Sequence, residues 1–264
     1  MYTRFQLIRN YFRFRRRAMN SRGHGMHSPF VYQFIRQVLN DRNDYPAYKT
    51  VEGLRAELKR DHSLLQIREL GAGSVTGQGK QRSVASITRN AAKPRRLAQL
   101  LFRIARFYKP GTILELGTSL GISTSYLALG GDNASVTSLE GSPEVAARAR
   151  LNFSRLGLTP EVIEGNFDHT LPEYLTSSPA PDLVFIDGNH RREPTERYFG
   201  QLLPFIHNDT ILVFDDVHWS AEMEQAWENI RSHEAVRCSV DLFFIGILFF
   251  RKEFREQQRF DVRF

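Results

Sequence analysis

The sequence predicts an α/β fold: a mostly parallel, seven-stranded sheet with helices on both faces, an antiparallel hairpin at its C-terminal end and a helical extension ahead of it. Three observations predict it. From Pro94 onward, short strand-like segments alternate with segments whose apolar residues recur at helical spacing. Leu183-Val184-Phe185-Ile186 and Ile211-Leu212-Val213-Phe214 are apolar throughout, as central strands buried on two faces must be. The longest apolar run, Leu242 to Phe250, suits buried strands and is far short of the ~20 residues that span a bilayer.

Each element has its own warrant. Residues 1–40 read as two helices, roughly 3–18 and 29–39. The break is Ser21-Arg22-Gly23-His24-Gly25, and Ser28-Pro29 forms the N-cap and first position of the second helix. Asp41 to Pro46 is a turn, and Val51 to Asp61 is helical. Leu70 to Gln81 is glycine-rich and reads as a mobile loop, a lid near a ligand. It is not a phosphate-binding loop, because Gln81 follows Lys80 and no glycine stands five residues before Gly79. Leu97, Leu100, Leu101, Ile104 and Tyr108 mark a helix that Lys109-Pro110-Gly111 ends. Strands follow at 112–116, 135–139, 161–163, 183–186 and 211–214. The helices between and after them cover about 123–129, 142–155, 193–205 and 221–232. Strands at 237–242 and 245–250 make the closing hairpin. The expected domains are thus 1–93, a basic extension with the glycine-rich loop, and 94–264, the α/β body.

Composition narrows the function. Of 264 residues, 41% are hydrophobic and 25% charged, the balance of a globular chain with a core. One cysteine, Cys238, excludes an internal disulfide framework and a cysteine-based zinc site. There is no transmembrane run and no signal-peptide pattern, so a cytoplasmic protein is the simplest expectation. The net charge is +7, but it is concentrated. Residues 1–40 hold eight arginines and neither Asp nor Glu, so the basic character belongs to the arm and not to the body. That arm, interleaved with Phe5, Tyr11, Phe12, Phe14, Phe30, Tyr32 and Phe34, reads as an amphipathic extension packed on the domain or on a second subunit. The alternative is a surface for an acidic partner: phosphate-rich substrate, RNA or anionic lipid.

In an open parallel sheet, ligands bind beyond the carboxyl ends of the strands. The first such end reads Glu115-Leu116-Gly117-Thr118-Ser119-Leu120-Gly121. Glycines there let backbone amides approach a ligand, and the carboxylate suits a cationic group better than a pyrophosphate. The second strand ends in Glu140, which can accept both hydroxyls of a ribose. The third is followed by Gly165-Asn166-Phe167, where Asn166 can accept from an adenine amino group and Phe167 can cover the ring.

These motifs, with the acids after the later strands, resemble the class I S-adenosylmethionine-dependent methyltransferases, a Rossmann-like, doubly wound fold. Phe185-Ile186-Asp187-Gly188-Asn189-His190 and Phe214-Asp215-Asp216-Val217-His218-Trp219 resemble small-molecule O-methyltransferases of the catechol and caffeoyl-coenzyme A type, and bacterial sugar and antibiotic O-methyltransferases. The match covers about residues 94–251.

The resemblance implies S-adenosylmethionine as cofactor. Gly117, Thr118, Ser119 and Gly121, with Glu115, would hold its methionine part, Glu140 its ribose, and Asn166, Phe167 and Asp187 the remainder of the site. Asp187, Asp215 and Asp216 align with the family's divalent metal ligands, for Mg²⁺ or another divalent cation. A hard cation takes oxygen ligands and lowers the pKa of an acceptor hydroxyl. His190 and His218, each close to a candidate ligand, suit a general base, and Asp187 belongs to the same catalytic group. Trp219 either walls the acceptor site or packs in the core. His24 and His27 read as structural. The expected reaction is methylation of oxygen on a small hydroxylated acceptor, and a homo-oligomer is compatible with the sequence. An RNA or protein methyltransferase gripping its polymer with the basic arm is the alternative. Asp187-Gly188-Asn189-His190 stands where amide- and base-methylating enzymes often have Asn/Asp-Pro-Pro-aromatic, which argues against those. The missing G-x-G-x-x-G argues against a nicotinamide oxidoreductase.

Overall fold

A computed structural model describes residues 1–21, 27–67 and 81–264. His24 and nearly all of the glycine-rich segment therefore lie outside the described residues. In chain order the elements are α1 (Arg4–Arg17), α2 (Pro29–Phe34), extended by a π-helical turn Ile35–Leu39, α3 (Pro46–Leu58), β1 (Leu64–Gln66), β2 (Gln81–Ser83), α4 (Val84–Asn90), α5 (Arg95–Tyr108), β3 (Thr112–Leu116), α6 (Ile122–Gly130), β4 (Ser135–Glu140), α7 (Pro143–Arg155), β5 (Glu161–Glu164), α8 (Phe167–Ser177), β6 (Leu183–Ile186), α9 (Arg192–Leu202), β7 (Ile211–Asp215), α10 (Ala221–Arg231), β8 (Cys238–Asp241), β9 (Ile245–Phe249) and β10 (Gln258–Asp261). The fold class is α/β, mostly parallel, as the alternation predicts. Two compact units divide the chain: Arg42–Pro179, and Met1–Asp41 with Ala180–Phe264. The extension expected over 1–93 is therefore split between them at residue 41.

In the unit Arg42–Pro179, β4 lies between β3 and β5, parallel to both. Register places Glu115 beside Ser138 and Glu140 beside Glu164. α5 buries Leu97, Leu100, Leu101 and Ile104, the residues whose spacing predicts it. It stops where Lys109 turns left-handed ahead of Pro110. Tyr48, Val51 and Leu58 of α3, Val84 of α4, Phe102 of α5 and Tyr126 of α6 share one core. Four elements have no counterpart in the sequence reading: the antiparallel pair β1 and β2, α4 and α8. β1 and β2 are three residues each with little apolar signal. α8 carries Pro172 in its interior, which reads as a break, yet it forms because Asn166 caps it and Leu171, Tyr174 and Leu175 are buried.

In the other unit the strand order is β10-β8-β9-β7-β6. β6 and β7 are parallel, as are β8 and β10, while β9 runs antiparallel to both its neighbours. The predicted hairpin is thus β8–β9. β10 is an eighth strand; its sequence Gln-Arg-Phe-Asp carries no apolar run to betray it. Gly246 of β9 lets Trp227 of α10 approach: a Cβ there would lie 2.5 Å from the indole. The arm belongs to this unit. Thr3 and Gln6 form a capping box at the start of α1. Phe14 and Ala18 then bury against Phe243, with Leu7 and Tyr11 packed alongside. Met19 extends the contact as a parallel bridge to Val262.

Candidate active site

In the unit Arg42–Pro179 the predicted cofactor residues other than Asp187 lie at the carboxyl ends of β3, β4 and β5. Glu115 is fully buried, and its carboxylate accepts from the hydroxyls of Thr124 and, at 2.6 Å, Ser138. The chain after β3 needs left-handed backbone at Gly117 (φ 107°), Ser119 (φ 49°) and Gly121 (φ 79°), a turn that glycine makes without steric penalty. The N–H groups of Gly117 and Thr118 both donate to the Leu139 carbonyl, at 3.0 and 3.2 Å. The buried Thr118 hydroxyl lies 2.6 Å from Ser138 Oγ.

Glu140 closes the loop. One carboxylate oxygen accepts from Ser119 N–H at 2.8 Å and the other from Ser142 N–H at 2.9 Å. Burial pushes its pKa above the usual carboxylate range, against the pull of those backbone donors. Asn166 is the N-cap of α8, its side-chain oxygen accepting from Asp168 N–H at 3.1 Å. The sequence reading misses that capping role, although a helix start after Gly165-Asn166 is its signal. Phe167 opens the same helix, half-buried. Gln66 of β1 joins the end of β4: its N–H donates to Glu144 at 2.6 Å, and its carbonyl accepts from the Ser142 hydroxyl at 3.2 Å. No sequence motif points to it.

In the other unit Asp187 follows β6 and Asp215 ends β7. Asp187, His190 and Asp215 each offer a ligand atom, and these atoms lie within 4.8 Å of one another. Among the described residues this is the group close enough to share a metal ion. His190 Nε2 stands 3.5 Å from Asp187 Oδ1. The turn that brings it there has positive φ at both Asn189 (66°) and His190 (24°), with the Asn189 amide donating to Tyr198 Oη at 3.1 Å. Asp216, expected as the third carboxylate, is not in the group. Its backbone is left-handed (φ 52°), its N–H donates to the Phe244 carbonyl at 2.7 Å and its carbonyl accepts from Trp219 N–H. Imidazole therefore takes the place that a third carboxylate was expected to fill.

His218 is also placed differently from a general base. Nδ1 lies 3.0 Å from Glu224 and Nε2 2.8 Å from Asp241, and the ring stacks on Phe243 at 4.9 Å. Burial opposes its charge, but the hydrogen bonds and charges of Asp241 and Glu224 outweigh it and raise the pKa to about 9. With both nitrogens bonded and the ring protonated at neutral pH, no lone pair is available to take a proton. Asp241, buried, also accepts from Trp227 Nε1 at 2.9 Å. Trp219 is half-buried, and its carbonyl accepts from Tyr2 N–H. His27 is exposed.

The donor set in each unit fits the group that the sequence resemblance implies. Glu140 keeps a lone pair on each oxygen beyond the backbone bond it accepts, as a ribose diol needs. Two carboxylates and an imidazole suit a divalent cation, Mn²⁺ or Zn²⁺ as readily as Mg²⁺.

Residues 114–217 match the family model described as a methyltransferase domain. No curated protein matches the chain. Solved structures share the fold at low identity. A SAH-bound methyltransferase, PaMTH1 of Podospora anserina, is 18% identical with a TM-score of 0.58, over 85% of this chain and 97% of that one. An O-methyltransferase from Bacillus cereus, in complex with SAH, is 20% identical with a TM-score of 0.53, over 83% and 97%. The O-methyltransferase TomG of Streptomyces achromogenes, in complex with SAM, is 16% identical with a TM-score of 0.54, over 84% and 95%. Residues 114–217 are thus similar to a methyltransferase domain, and the fold is one that these SAH- and SAM-bound enzymes share.

Proposed function

We propose that the protein is a cytoplasmic O-methyltransferase acting on a small hydroxylated acceptor, with residues 94–264 as its catalytic domain. The observation that carries this reading is the Asp187–His190–Asp215 group, whose ligand atoms converge within 4.8 Å at the carboxyl ends of β6 and β7. Methyl transfer to oxygen needs a nucleophile near its alkoxide or phenolate form. A divalent cation, when bound, supplies that by lowering the hydroxyl pKa.

The chain's own residues do the rest. Glu140 and the backbone of the Gly117–Gly121 turn bind the cofactor. Asp187 and Asp215 supply carboxylate oxygens, and His190 the nitrogen. If no cation is used, His190 is the base: its side chain is 26% exposed, and Asp187 at 3.5 Å orients it.

The test is calorimetric titration with S-adenosylhomocysteine in Mg²⁺, in Mn²⁺ and in chelator, followed by a screen of catechols and sugars. Asp187→Ala and Asp215→Ala should each cut metal-stimulated transfer by roughly 100-fold or more while leaving the fold intact. Equal rates in chelator would remove the cation and leave His190→Gln as the damaging variant. Methyl label appearing on RNA or protein, and on no small acceptor, would sink the small-acceptor reading.

A further inference from the structure

We propose that α1 docks the protein on an anionic lipid bilayer. A helix that only packs on its own domain needs one apolar face; α1 has two. Leu7, Tyr11 and Phe14 hold it to Phe243. On the opposite side Phe5, Ile8 and Phe12 are 76%, 55% and 62% exposed. At 3.6 residues per turn these three fall within about 60° of the circumference, with Phe14 roughly opposite. The helix is therefore anchored by one face with the other presented outward.

The flanks of that outward stripe settle the occupant. Arg4 and Arg15 lie on one side of it and Arg9, Arg13 and Arg16 on the other, all exposed, and no acid occurs in residues 1–40. A second copy laid stripe to stripe would bring arginine against arginine. RNA would satisfy the arginines, but Ile8, central in the stripe, has no ring face to offer a base. A bilayer satisfies both groups. Phenylalanine and isoleucine enter the acyl boundary while arginines on either flank reach up to anionic headgroups. Among the described residues no helix is long and apolar enough to cross a membrane, so the attachment is lateral and reversible. It stands independently of the methyl acceptor.

The experiment is co-sedimentation of the full chain with vesicles of phosphatidylcholine alone, and of phosphatidylcholine with about one third phosphatidylglycerol, at low and high salt. The expected result is at least roughly tenfold stronger partitioning to the anionic vesicles, weakened by salt. Joint replacement Phe5→Ser, Ile8→Ser and Phe12→Ser should remove roughly tenfold or more of it with an unchanged thermal melt, because all three side chains are already exposed. As a second readout, Phe12→Trp should gain blue-shifted emission with anionic vesicles relative to the parent chain. Equal binding to neutral vesicles, undiminished binding of the triple variant, or an unshifted emission from Phe12→Trp overturns the proposal. So does homopolymer RNA binding that outcompetes the vesicles, or a dimer that the triple variant dissolves.

Discussion

His218 holds its proton through two carboxylates drawn from different parts of one unit, Glu224 of α10 and Asp241 of β8. Its folded pKa, about 9, stands above the ordinary 6.5. The stabilisation is therefore complete below about pH 6.5 and is lost as pH rises through about 9. Its size is about 3 kcal/mol. Asp241 and Glu224 are held below the usual carboxylate range, in spite of burial, by hydrogen bonds that include His218's. The same cluster thus also weakens as pH falls into that range. Urea melts at about pH 6 and about pH 9.5 should differ by that amount in the parent chain and hardly at all in His218→Gln; an equal slope in both would place the titration elsewhere.

Glu140→Ala should weaken S-adenosylhomocysteine binding at least roughly tenfold, the loss of one charge-assisted hydrogen bond or more. Unchanged affinity in calorimetry would remove it from the site. The positions of Glu115, Glu140 and Asp187 were legible because each is a carboxylate at or just past the carboxyl end of a recognisable strand. The grouping of His190, rather than Asp216, with Asp187 and Asp215 was not. It depends on a left-handed turn at Asp216 and another across Asn189-His190, and neither Asp-Asp nor Gly-Asn-His announces its φ. The clamp on His218 was hidden for a different reason: Asp241 is 23 residues away along the chain.

At the scale of elements, strands and helices with a continuous apolar signal were legible, and short or polar ones were not. β6, β7 and β9 are buried at every position, so their sequences admit little else. β10 is held by pairing with β8 and α8 by its cap, and tertiary pairing leaves no periodic trace in four residues. The contact between β9 and α10 gives a prediction at this scale. Gly246→Ala would press a methyl against Trp227, a ring that is 1% exposed and tethered to Asp241. It should cost about 2 kcal/mol by overpacking, read as a lower urea midpoint. A cost under a few tenths would mean the indole can move aside.

For the whole molecule, the division of labour is set by the arm. Removing residues 1–20 exposes Phe243 and the His218 clamp and forfeits the burial of Phe14 and Ala18. That should cost about 3 kcal/mol. Affinity for S-adenosylhomocysteine should survive, since the Gly117–Glu140 residues proposed to bind it are held by their own unit. A cofactor affinity that falls in step with the truncation would show that the arm completes the site.

The bridge between Met19 and Val262, with Met19 N–H donating to the Asp261 carbonyl and Arg263 N–H to the Met19 carbonyl, has a consequence for how the chain is made. Met19 leaves the ribosome about 240 residues before its partner, a wait of roughly 10–50 s at ordinary elongation speeds. For most of that interval α1 has no Phe243 to cover it. Its anchoring face is open to chaperones and to other nascent chains until Phe243 arrives, and the Val262 bridge then fixes the arm in place.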